Sequence, residues 1–284
     1  MEFIKFIDSE RIIREKSPTL YKWLPKFVLR WLKRKLHEDE LNAAMNRHLD
    51  KFGLEYNIAA ISEFGIRPEI RHAENVPANG GVIIAANHPL GGLDGIALIY
   101  AVGQIRPDVR FLVNDILRNI KNYGDVFVGV NKVGATTRDA LKVIEDVYAS
   151  DAAVLVFPAG LVSRKQNGGI KDLEWNKSFV SKALKYNKPI LPVFIEGKNS
   201  NFFYNFSMWR KRLGIKGNIE MLFLPDEMFK QKDQTIRIHF GKPFDASMLD
   251  NSKDQAQWAR EIKSYVYSDA IKQGKTFEEF LKNN

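Results

Sequence analysis

The segment Asn87-His-Pro-Leu-Gly-Gly-Leu-Asp-Gly95 places a histidine and an aspartate around a glycine turn. An imidazole takes a proton from a hydroxyl or amine near neutral pH, while a neighbouring carboxylate fixes its tautomer and stabilises the imidazolium. Such base catalysis contributes about 10²–10⁴-fold. His88 and Asp94 are the catalytic candidates. The chain contains no cysteine, so no thiol nucleophile competes with them. A structural use of the same residues stays open: Asp94 also suits the cap of a helix, and His88 suits a backbone bond within the turn.

The elements around this pair read as strand, tight turn, helix. Gly81-Val-Ile-Ile-Ala-Ala86 is short, apolar and β-branched, and Gly91-Gly92 precedes a second apolar run, 96–102, of helical character. In α/β sheets this order delivers polar residues to the carboxyl end of a strand, where ligands bind. Further strands are predicted at 110–113, 126–130, 153–157, 190–195, 219–224 and 235–240, and helices at 139–149, 172–186 and 254–272. Pro192, within its strand, calls for an edge or a bulge. His239 alternates with apolar neighbours and reads as a sheet-face histidine; His37, His48 and His72 have no motif around them. The pattern predicts an α/β fold with a mixed, largely parallel central sheet flanked by helices. An amino-terminal amphipathic helical segment, 1–65, precedes an α/β domain, 66–284.

The 284 residues, 45% hydrophobic, support a substantial core. A net charge of +9 calls for an acidic partner, whether nucleic acid, anionic membrane or acidic protein. Absence of cysteine fits a reducing cytosol, and five dispersed histidines give no expectation of a structural metal. The acidic start, Met-Glu-Phe-Ile-Lys-Phe-Ile-Asp, does not read as a secretory signal. No window reaches the roughly 20 apolar residues that span a bilayer, so membrane association is expected to be peripheral. From Leu20 to His37, apolar residues Leu24, Phe27, Val28, Trp31, Leu32 and Leu36 share a helical stripe. Lys22, Lys26, Arg30, Lys33, Arg34 and Lys35 supply positive charge without an acid. That composition fits a helix lying on an anionic membrane surface, or one packing its stripe on the core.

Asn87-His-Pro, the double glycine and Phe157-Pro-Ala-Gly160 together resemble the glycerolipid acyltransferase superfamily, the lysophospholipid acyltransferases. The likeness is greatest to its hemolysin-like branch, which includes O-acyltransferases of bacterial aminolipids. Many members have one residue fewer between the histidine and the aspartate; the longer spacing occurs in this branch. Ala159 and Leu161 stand where much of the superfamily has glutamate and threonine, which points away from a standard phosphate-bearing acceptor. Pro158 and Gly160 suit a turn whose N–H groups face an anion, with Ser163, Arg164 and Lys165 available to a phosphate or carboxylate; an ordinary turn is the plain alternative. The resemblance also implies an acceptor-binding basic residue after the 126–130 strand, Lys132 or else Arg138. In Pro189-Ile-Leu-Pro-Val-Phe-Ile-Glu-Gly-Lys-Asn-Ser200 it implies a strand shaping the acyl and acceptor cleft, with Lys198 and Asn199 either at the head group or in a plain loop.

The resemblance implies acyl transfer from a thioester, on acyl carrier protein or coenzyme A, to the hydroxyl of a lyso-aminolipid or lysophosphatidic acid. The setting would be the inner face of the cytoplasmic membrane. His88 would be the base and Asp94 its support. Asn87 would shape the substrate site, and backbone N–H groups around Gly91 and Gly92 would face the oxyanion. No serine sits in a nucleophile elbow, so transfer is expected to be direct, without an acyl-enzyme or a resident cofactor. Net positive charge favours acidic acyl carrier protein as donor. Another reading is a catalytically inactive peripheral membrane protein. Nucleic-acid binding lacks any recognisable motif.

Overall fold

The computed structural model describes residues 3–16, 18–113, 117, 120–129, 137–215 and 217–283. Helices α1 (Ser9–Lys16), α2 (Pro18–Trp23), α3 (Lys26–Lys35), α4 (Glu38–Arg47) and α5 (Gly53–Glu63) come first. The basic amphipathic stretch is divided at Pro25, whose φ of −63° and ψ of 144° end one helix and open the next. Nine strands follow: β1 (Arg67–Arg71), β2 (Val82–Ala86), β3 (Val109–Val113), β4 (Phe127–Gly129), β5 (Ala153–Val156), β6 (Arg164–Gln166), β7 (Gly169–Lys171), β8 (Ile190–Ile195) and β9 (Thr235–Phe240). Helices α6 (Gly92–Gly103), α7 (Thr137–Ala149), α8 (Ser178–Tyr186), α9 (Asn201–Arg212) and α10 (Leu224–Lys230) alternate with these strands. Past β9 lie α11 (Gln255–Val266), α12 (Asp269–Lys272) and α13 (Phe277–Lys282).

Seven strands form one sheet in the order β1-β9-β8-β2-β5-β3-β4, and β6 and β7 form a separate hairpin. Every pairing in the large sheet is parallel except β8 with β9. β2 occupies the middle, Ile84 lying beside Leu155 on one side and Leu191 on the other. All five of its residues are buried. Its alternation sends Val82, Ile84 and Ala86 into a core with α5 and α6, and Ile83 and Ala85 into a second core with α8, α11 and α13. The fold is a three-layer α/β sandwich, and the chain just after β2 emerges at the centre of the sheet's carboxyl edge.

Several expectations change. Residues 219–224 are not a strand: Ile219–Phe223 is a 3-10 turn leading into α10, where Pro225 occupies the first turn and favours helix. The helix foreseen from 172 begins at Ser178, leaving Asp172 outside it. The helix 254–272 breaks between α11 and α12. β1 and the β6–β7 hairpin carry too little apolar alternation to announce themselves. Pro192 sits in central β8, not at an edge. Its carbonyl accepts from Gly241 N at 2.9 Å, at the point where β9 leaves the ladder, and a Cβ on Gly241 would lie 2.9 Å from the Pro192 ring. The core also runs across residue 65, since Tyr56, Ile61 and Phe64 pack with β2 and α6.

Ile84, fully buried between two paired strands, tests the central layer. Ile84→Ala should lower unfolding free energy by about 2–5 kcal/mol in a urea titration.

Candidate active site

His88 follows β2 directly, and Gly91, at φ +86°, turns the chain into α6, where Asp94 occupies the first turn. The turn brings the two side chains together. His88 Nδ1 lies 2.9 Å from Asp94 Oδ2. The same oxygen accepts from Leu90 N at 2.7 Å and Gly91 N at 3.0 Å. Asp94 therefore caps the turn as the capping reading expected, and the same oxygen also meets the His88 ring. Since an ionised carboxylate only accepts, it selects the tautomer of His88 with the proton on Nδ1. That leaves Nε2 as an acceptor, and among the described residues it has no hydrogen-bond partner. The His88 side chain is 16% exposed and Asp94 wholly buried, so the ring edge is open and its support is dry.

The neighbourhood covers one face of the imidazole and braces the backbone that carries it. Phe157 stacks on its face at 4.2 Å with planes 13° apart. Asn87 bridges to β8, donating to Ile195 O at 2.9 Å and accepting from Ile195 N at 2.6 Å. Asn199 donates to Pro89 O at 3.1 Å, and its own N–H reaches Tyr204 Oη at 2.9 Å. Fully buried Asp172 accepts from His88 N at 3.2 Å, Ser163 Oγ at 2.6 Å and Trp175 Nε1 at 2.9 Å. Its backbone N–H donates to Tyr267 Oη at 2.8 Å, and burial pushes that phenol up, so it stays a neutral hydroxyl. Ser163 N also donates to His88 O at 2.8 Å, tying the 157–164 segment to the histidine backbone.

Of the residues expected to line the site, Asn87, His88, Gly91, Gly92, Asp94, Pro158 and Asn199 surround the turn or its immediate supports. Gly91 is not a free oxyanion donor, because its N–H is given to Asp94. Gly92 packs beside Met228. Pro158 is buried, Ala159 half-buried and Gly160 exposed at φ +64°. Ser163 and Arg164 depart from the anion-binding expectation: both are turned inward. Arg164 donates to Glu220 Oε1 at 2.9 Å, and Arg210 Nε lies 2.6 Å from Glu220 Oε2. Burial works against ionisation of Glu220, but its backbone N–H and the two guanidiniums hold the carboxyl below its ordinary range. Lys198 is exposed, and its carbonyl accepts from Gln231. Lys132 lies outside the described residues; Arg138 belongs to α7, with only its backbone described. Histidine 239 pairs with Glu196 at 2.8 Å, as a sheet-face histidine should.

Asp172, Trp175 and Tyr267 were not legible as site residues. Asp172 reads in the sequence as a helix start, and only the fold shows its carboxylate facing the His88 backbone.

An α/β fold with a His–Asp pair in the turn between its central strand and the following helix is what this geometry defines. The chain belongs to the acyltransferase family, whose model matches residues 11–274, and with its relatives to the glycerolipid acyltransferase superfamily. It is 43% identical over 262 residues to the lyso-glycine lipid O-acyltransferase of Bacteroides thetaiotaomicron, covering 92% of this chain and 96% of that protein. The lyso-glycine lipid O-acyltransferase of Phocaeicola vulgatus is also 43% identical, over 265 residues, with 93% and 95% covered. Among solved structures, the 1-acyl-sn-glycerophosphate (LPA) acyltransferase PlsC of Thermotoga maritima aligns over 89% of both chains at 16% identity with a TM-score of 0.44.

Complete burial pushes the Asp94 carboxyl up, and the bonds from His88, Leu90 and Gly91 oppose this without cancelling it. A carboxyl whose pKa is higher folded than unfolded binds its proton more tightly in the native state. Ionising it at neutral pH therefore costs folding free energy, a cost absent below the unfolded-state pKa. Asp94→Asn removes this cost together with the carboxylate that holds the His88 ring. We expect the variant to melt no lower than the parent near neutral pH while kcat falls by about 10²–10⁴-fold. A variant with full turnover would contradict the pairing.

Proposed function

We propose that this acyltransferase moves a fatty acyl group from a thioester to the hydroxyl of a lyso-aminolipid, lyso-glycine lipid being the favoured acceptor. Its likeness to two lyso-glycine lipid O-acyltransferases, at 43% identity across nearly the whole chain, carries the choice of acceptor. The site geometry supports the mechanism. His88 Nε2 takes the hydroxyl proton as the acceptor oxygen attacks the thioester carbonyl carbon. Asp94 stabilises the imidazolium through Nδ1. The tetrahedral intermediate collapses, the C–S bond breaks, and the imidazolium returns its proton to the departing thiolate. Transfer is direct, since the chain has no cysteine and Ser163, beside the site, is bonded to Asp172.

The donor is acyl carrier protein, an acidic partner matched to a chain of charge +9. The enzyme works at the inner face of the cytoplasmic membrane. Among the described residues no helix is long and apolar enough to cross a membrane. Helix α3 is suited to lie on one: none of its described residues is buried, Phe27 and Trp31 are exposed, and its charges are all positive.

Purified protein and His88→Ala, given palmitoyl-acyl carrier protein or palmitoyl-CoA with lyso-glycine lipid or lysophosphatidic acid, test this by mass spectrometry. We expect diacylated glycine lipid chiefly from the carrier-protein donor, and a loss of about 10³-fold or more in the variant. Acylation of lysophosphatidic acid alone would overturn the acceptor, and full activity of His88→Ala would overturn the base.

A further inference from the structure

Helix α9 carries two apolar stripes where packing needs one. Phe203, Tyr204, Ser207 and Arg210 form its buried face. On another face, Phe202, Phe206 and Trp209 continue into Leu213 just past the helix end, at spacings of four, three and four residues. Phe202 is 50% exposed, Trp209 65% and Leu213 66%. With Ile215 and Ile219 this face lines an apolar groove of about 310 Å³. Contiguous exposed apolar surface of this kind marks an interaction site.

Charge identifies the occupant. From Gly197 to Ile219 the sequence has Lys198, Arg210, Lys211, Arg212 and Lys216 and no acid. Arg210 is neutralised by Glu220, but Lys211 and Arg212 are exposed beside Trp209 and Leu213. Aromatic side chains rimmed by cations that, among the described residues, have no ion-pair partner fit the boundary between headgroups and acyl chains of an anionic bilayer. The face is also continuous with α3: Trp31 meets Phe223 edge-on at 6.0 Å, and Phe223 meets Phe202 and Phe206, each at 5.1 Å. Leu224, the next residue, packs against Gly91 in the catalytic turn.

We propose that α9, together with Leu213, Ile215, Ile219 and Leu222 beyond it, forms a second membrane-docking limb, which with α3 seats the catalytic turn beside the headgroups of an anionic bilayer. It extends the membrane role proposed above for α3 and stands on a separate helix. Two helices joined in one continuous face hold the enzyme at a fixed tilt on the surface, whereas α3 alone supplies only attachment.

The test uses full-length protein and vesicles of phosphatidylethanolamine with phosphatidylglycerol. Trp209→Glu/Leu213→Glu changes two exposed side chains, so the fold should persist by circular dichroism. Co-sedimentation with the vesicles should weaken about ten-fold or more. Acylation of a dispersed short-chain lyso-glycine lipid, without vesicles, should remain at the parental rate. In vesicles of brominated lipid, Trp209→Phe should show clearly less fluorescence quenching than the parent. Parental vesicle binding by the double variant would overturn the proposal. So would unchanged vesicle binding with a raised KM for acyl carrier protein, which would make this the donor's surface, or with an altered acyl-chain preference, which would make the groove an acyl pocket. If neither protein acylates the dispersed acceptor but the vesicle difference persists, the proposed reaction fails and the docking limb stands.

Discussion

A carboxylate without access to water is the constraint on which the site depends. Asp94 is wholly buried at the start of α6, and three donors converge on its Oδ2: His88 Nδ1 and the N–H groups of Leu90 and Gly91. A buried charge is tolerated only when paired and hydrogen-bonded. Here the bonds that satisfy it also set the tautomer of the histidine and the geometry of the turn. Moving Gly91 out of its positive φ would remove one donor and misplace another. The chemistry and the local fold thus rest on the same oxygen atom.

Around that atom the structure is braced from both flanks of the sheet. Asn87 locks the end of β2 to β8, Asp172 holds the backbone N–H of His88 and, through Ser163, the segment after β5, and Phe157 covers the ring face. Each brace comes from a different part of the chain and meets at the middle strand. The central position of β2 makes this possible, because β8 and β5 lie on either side of it. Precision at the imidazole follows from the sheet topology, and Nε2 has no hydrogen-bond partner among the described residues.

Much of this was legible in the sequence. β2, β8 and β9 were readable to the residue because buried strands are short, apolar and bounded by turn residues. The His88–Asp94 pairing was readable because a glycine turn leaves little freedom over six residues. What failed to show depended on distant partners. Asp172 takes its meaning from His88 and Ser163, and Arg164 from Glu220; neither pairing leaves a local pattern. The apolar run 219–224 was misread because a half-buried 3-10 turn and a strand share composition, and Pro225 acts only through the helix that follows. Pro192 was expected at an edge or a bulge because the departure of β9 at Gly241, beside its ring, is a tertiary event.

The account stands or falls on the state of one imidazole. Selective ¹⁵N labelling of histidine, with two-dimensional correlation through the ring carbons, reports which nitrogen of His88 carries the proton in the neutral ring. The geometry requires Nδ1–H, held by Asp94, with a bare Nε2, and loss of that preference in Asp94→Asn. Proton occupancy at Nε2 in the parent protein would leave no lone pair for the acceptor hydroxyl, and the assignment of His88 as base would be wrong.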